Sequence, residues 1–111
     1  MNYYIINTVH AILKKNEEAR DNWMLTVQEV HDREMYLFSY EKSDYYFCVF
    51  NEKLTNIQTI SRTWRLLQEK FPEIRGKQWE ERQKQGGQYA NQMADAEMRM
   101  QLDLFESDYA I

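Results

Sequence analysis

Apolar residues along this chain recur mostly three or four positions apart, the spacing of buried helix faces, with polar joints between the blocks. From Tyr3 to Leu13, Ile6, Val9 and Leu13 share one face with Ile5 and Ile12 beside it, which predicts a first helix. Lys14 and Lys15 fall in its last turn, where positive charge complements the helix dipole, and Asn16 is a suitable stop. In the polar joint from Asn16 to Asn22, Asp21 or Asn22 can cap a second helix with Trp23, Val27 and Val30 as its apolar face. The clearest pattern is Ile57, Ile60, Trp64, Leu67 and Phe71. Thr55 and Gln58 have capping-box spacing at its start, and Pro72 ends it because the residue before proline resists helical geometry. The opposite face carries Gln58, Arg62, Arg65 and Glu69, and Leu66 on that side hints at a second contact surface.

Two regions leave alternatives open. Met35 to Tyr40 and Tyr45 to Phe50 flank Glu41 to Asp44. By β propensity this is a hairpin; alternatively, Ser43 caps a short helix with Tyr46, Val49 and Phe50 on one side. Pro72 to Gly76 reads as a turn, Lys77 to Gln85 as a further basic helix bearing Trp79, and Gly86-Gly87 as a break. Gln88 to Gln101 is then a helix or a mobile arm, whose 14 residues would reach roughly 20 Å if flexible. The expected fold is mainly α: a small helix-turn-helix-like domain over residues 1–85, with one possible hairpin at 35–50. A C-terminal arm or helix covers 86–111.

Composition and charge narrow the function. At 111 residues the chain is one small domain, and 14% aromatic residues with one Pro and three Gly argue against wholesale disorder. A single cysteine, Cys48, inside an apolar run reads as a buried, inert thiol in a reducing compartment. No leader and no apolar run of membrane length is visible, so the expected location is the cytoplasm, with no membrane partner. The net charge of −4 is unevenly spread: −3 over residues 1–56, +3 over 57–84 and −4 over 85–111. Only the middle block attracts nucleic acid. His10 and His31 have no ligand partner at metal spacing and read as surface or edge residues of their helices. Asp32 and Glu34 read as a solvated charged joint rather than an acid–base pair. With no phosphate loop, paired cysteine motif or nucleophile–base set, no enzyme, cofactor or metal is expected.

Two resemblances add to this. Gln101-Leu102-Asp103-Leu104-Phe105 resembles, at every position, the pentapeptide by which bacterial proteins dock on the β sliding clamp, the DNA polymerase III β subunit. A chain of this length holds such a match by accident with a probability on the order of 10⁻⁴. The resemblance implies that Gln101 bonds the clamp backbone while Leu102, Leu104 and Phe105 enter an apolar pocket. Met93, Ala96, Met100 and Leu104 recur at helical spacing, as do Met98, Leu102 and Phe105, so a packed amphipathic C-terminal helix would use the same residues. Separately, Thr59-Ile-Ser-Arg-Thr-Trp-Arg-Leu-Leu-Gln-Glu69 resembles a helix-turn-helix recognition helix, and residues 8–33 and 55–83 are similar to small phage and prophage early proteins of firmicutes. This implies Gln58, Thr59, Arg62 and Arg65 in a major groove of double-stranded DNA, with Lys70, Arg75, Lys77, Arg82 and Lys84 near phosphates. The expected function is a phage or mobile-element adaptor or inhibitor docked on the clamp. A host- or defence-protein inhibitor using the aromatic surface of residues 36–50, or a dimeric regulator, are the alternatives.

Overall fold

The computed structural model describes residues 4–84 and 92–109, and every regular element among them is helical. Helices α1 (Tyr4–Lys15), α2 (Trp23–Leu37) and α4 (Ile57–Lys70) pack on one another, and α6 (Gln92–Tyr109) lies against α4. Two one-turn-and-a-half helices, α3 (Tyr45–Phe50) and α5 (Trp79–Lys84), complete the set. Ile6, Val9, Ile12 and Leu13 of α1, Val27 and Val30 of α2, and Ile60, Trp64, Leu66 and Leu67 of α4 form one buried cluster with Met98, Leu102 and Phe105 of α6.

The helix ends show why these segments stop where they do. Beyond α1, Arg20 reaches back so that its Nε donates to the Leu13 carbonyl at 2.7 Å and a terminal nitrogen to that of Lys14 at 3.3 Å. Arg75 repeats the device on α4, donating to the carbonyls of Gln68 and Glu69, both at 2.7 Å. Each guanidinium thereby satisfies two carbonyls that a helix C-terminus leaves without an internal partner. Asn22 caps α2, its side chain accepting from the Leu25 N–H. The buried face of α2 then starts a turn later than the pattern indicates: Thr26, Val27, Val30, His31, Glu34 and Met35 are buried, while Trp23, at the first position, is 40% exposed.

Residues 35–54 contain no strand. α2 ends in a Schellman arrangement, with the Ser39 N–H donating to Tyr36 and the Tyr40 N–H to Met35. α3 ends in the same way, Glu52 donating to Val49 and Lys53 to Cys48. Ser39 and Glu52 sit at φ 60° and 54°, the left-handed conformation such stops require. Glycine normally marks these positions, so the stops left no trace in the sequence, and the aromatic run read equally as a hairpin. α3 turns Cys48, Tyr45 and Val49 toward a small satellite core with Met35, Leu54 and Tyr40, leaving Tyr46 and Phe50 outside. Before it, Glu41 and Asp44, not Ser43, form the reciprocal cap of a 3-10 turn.

The capping box expected at Thr55 is also replaced. Asn56 caps α4, accepting from the Gln58 N–H at 2.8 Å. Thr55 is drawn instead to the buried Glu34 carboxylate, which accepts its N–H at 2.9 Å and its hydroxyl. A buried carboxylate requires donors more urgently than an exposed helix end does. α4 ends at Lys70, with Phe71 extended ahead of Pro72.

Candidate interaction surfaces

Residues 101–105 lie inside α6, and a helix divides them between two sides. Leu102 is 1% exposed and Phe105 4%, while Leu104 and Asp103 face outward and Gln101 is half-buried. Phe105 meets the rings of His10 and Phe71 edge-on, with centroids 5.7 and 6.5 Å away. The pentapeptide as expected for docking would present Leu102, Leu104 and Phe105 together; in the structure only Leu104 of the three is accessible. The burial that holds Phe105 also acts on His10, whose pKa is lowered chiefly by desolvation, with Lys14 adding to the effect. The break expected at Gly86-Gly87 lies outside the described residues.

The basic block is largely occupied within the chain. Asp95 of α6, 2% exposed, bridges two cations of α4: Arg62 Nε at 3.3 Å and a terminal nitrogen of Arg65 at 3.0 Å. Lys70 pairs with Asp103 and, at 3.3 Å, with Glu106; its hydrogen bond to Asp103, helped by Glu106, raises its pKa against the opposing effect of desolvation. Arg99 and Glu69 close the same seam at 3.1 Å. Leu66, the apolar residue on the polar side of α4, lies amid these pairs and is 1% exposed. The second contact surface that it hinted at is therefore the seat of α6.

Arg75 and Arg82 are held elsewhere. Arg75 caps α4 and lies 3.8 Å over the Trp79 ring. Arg82 donates to Asp21 at 2.9 Å, to the Arg20 carbonyl and to Gln68 Oε1, and its guanidinium covers Trp64. Burial pushes the Asp21 carboxyl upward, but the Gln78 and Lys77 N–H groups and Arg82 overcome it, leaving the pKa below the ordinary value. Gly76 passes so close to this joint that a Cβ there would stand 2.1 Å from Asp21 Oδ1 and 2.6 Å from the Arg20 carbonyl oxygen. Among the expected DNA contacts, Gln58, Lys77 and Lys84 are exposed and Thr59 is half-buried. The face that Arg62, Arg65 and Lys70 would turn toward a groove is the one α6 covers.

The aromatic region has the opposite character. A cleft of about 1130 Å³ is lined by Trp23, Met24, Tyr36, Tyr40, Tyr45 and Tyr46, together with Ile57, Asp32 and Lys42. Tyr36 is 85% exposed and Phe50 82%, and Met24, Leu37, Phe38, Tyr46 and Phe47 also reach solvent. The floor beneath is rigidly tied. His31, expected at an edge, is buried with both ring nitrogens bonded: Nε2 donates to the Thr55 carbonyl at 2.8 Å, and Nδ1 meets the Tyr45 hydroxyl at 2.9 Å. Because a carbonyl only accepts, Nε2 carries the proton, and Tyr45 donates to Nδ1 when the ring is neutral. Glu34, expected in a solvated joint, is buried as well and accepts from Thr55 and, at 3.4 Å, from Tyr4. Cys48 is buried in the satellite core, and burial raises its thiol pKa. Trp23 and Met24 extend the surface beyond residues 36–50; their exposure was hidden in the sequence because Trp23 fits the helical stripe of α2.

Among the described residues no three His, Cys, Asp or Glu side chains are grouped to hold a metal ion, and no helix is long and apolar enough to cross a membrane. No protein-family model, curated protein or solved structure matches the chain.

Proposed function

We propose that this chain is a small cytoplasmic protein-binding module that docks a partner protein through the aromatic surface of α2 and α3. The observation that supports this reading is the concentration of large apolar side chains in solvent around one cleft, Trp23, Met24, Tyr36 and Tyr46 foremost. Monomeric domains rarely leave such a patch open unless it binds, and Tyr and Trp are the residues that most often carry interface energy. The net charge of −4, with the cations of α4 already paired, also favours a protein over a nucleic acid as partner. Its role as an inhibitor or adaptor of phage or mobile-element origin rests on the resemblance described above. The test is cross-linking of the whole protein in bacterial extract, with Tyr36→Ser/Phe50→Ser as the control. A partner whose capture depends on those two residues supports the reading; capture that both chains share equally defeats it.

The complete five-residue match at Gln101–Phe105 favours a second reading, docking on the β sliding clamp. In that case α6 must first leave α4, because Leu102 and Phe105 are buried in the closed form. Titration of clamp with a peptide of residues 100–111 and with the whole chain checks it. The peptide should bind at least about tenfold more tightly than the whole chain, since only the open fraction of the latter is competent. Leu104→Ala/Phe105→Ala should abolish both interactions. A peptide that does not bind ends this reading and leaves the first untouched.

A further inference from the structure

The seam between α4 and α6 has a composition of its own. On α4, Arg62, Arg65 and Lys70 surround Leu66; on α6, Asp95, Asp103 and Glu106 oppose those cations, and Met98, Leu102 and Phe105 supply the apolar contacts of the buried cluster. The helix that meets this face, α6, carries a carboxylate, apolar residues 3, 7 and 10 positions later, and further carboxylates 8 and 11 positions later, the last apolar one, Phe105, reaching past α4 to His10 and Phe71. The carboxylate at the first position enters the most enclosed part of the seam, between two guanidinium groups. The pairs made by Asp103, Glu106 and Arg99 are largely exposed, and exposed ion pairs hold weakly and are screened by salt.

We infer that this face of α4 is a helix-receiving surface, filled by α6 in the closed chain, and that a partner protein enters it with an acidic amphipathic helix of the same pattern. Entry of such a helix releases α6, and residues 101–105 with it, so binding at one surface uncovers another. The inference is independent of the aromatic surface. A phosphate backbone would match the cations but offer nothing apolar to Leu66, so an amphipathic helix fits the face better than a duplex does.

The test uses the full chain and a fluorescein-labelled peptide of residues 92–109 as the probe. The native chain should bind it weakly, because its own α6 competes at a high effective concentration. Asp103→Lys/Glu106→Lys, at exposed positions facing Lys70, should loosen α6 and tighten peptide binding at least tenfold. Adding Arg62→Gln/Arg65→Gln should cancel that gain, whereas adding Tyr36→Ser/Phe50→Ser should leave it intact. In the native chain, saturating peptide should speed amide hydrogen exchange along α6. The inference is overturned if the loosened chain stays folded and shows no gain, or if the gain survives loss of the two arginines. It is also overturned if the loosened chain binds a 20-base-pair duplex and not the peptide, which would make the face a phosphate site.

Discussion

The joint between residues 13–22 and 68–82 and the lobe of residues 35–54 are both built from short turns, yet they spend their side chains in opposite ways. In the joint, Arg20, Asp21, Gln68, Arg75 and Arg82 bond one another or the backbone, and Gly76 gives up its side chain so that two segments can touch. In the lobe, Tyr36, Phe38, Tyr46, Phe47 and Phe50 each leave more than half of their surface in solvent. The joint is polar, and Arg20, Asp21, Arg75 and Arg82 are engaged within it, although the buried Trp79 Nε1 has no hydrogen-bond partner among the described residues and Lys77 stays exposed. The lobe is apolar, and those five side chains are open to a ligand. Charge in the sequence therefore marked a structural joint, and hydrophobicity marked an exposed surface, the one proposed to bind.

The largest effect that separates the two should come from Gly76→Ala. The added Cβ collides with Asp21 and with the Arg20 backbone, so urea unfolding should show a loss of about 3 kcal/mol. Acid should probe the same joint. The pKa of Asp21 is depressed in the folded chain, so its contribution is fully present above the ordinary carboxylate value of 3.8 and is lost as pH falls through the lower folded value. The stability gap between the native chain and Asp21→Asn should accordingly shrink as pH is taken from 5 to 2.5; a constant gap would show that the charge is not what Asp21 contributes. Within the lobe, Glu52→Gly should stabilise by about 1 kcal/mol, because glycine adopts the φ of 54° without penalty. Smallest of all, Tyr36→Ser/Phe50→Ser should change stability by less than about 0.5 kcal/mol in thermal melts. A large loss there would mean that the lobe is core after all.

The aromatic surface was partly legible in advance and the occupied basic face was not. An aromatic run at 36–50 is visible in the sequence, although Trp23 and Met24 join it only once α2 is placed. Arg62 and Arg65 look like a solvated or nucleic-acid-facing row until a carboxylate thirty residues further along is brought against them. His31 and Glu34 look exposed for the same reason: their partners, Thr55 and Tyr45, are distant in sequence.

By itself the sequence determined the helices α1, α2 and α4, a cap at Asp21 or Asn22 and the stop before Pro72, because periodicity, capping and proline sterics act over a few residues. It also carried both forms of the C-terminal segment, docking peptide and amphipathic helix, since the same spacing of Leu102 and Phe105 serves either. Only the tertiary structure decided which form the folded chain adopts. That choice depends on the apolar surface of α1 and α4 and on the three cations awaiting Asp95, Asp103 and Glu106, and such contacts exist only once distant segments have been packed together.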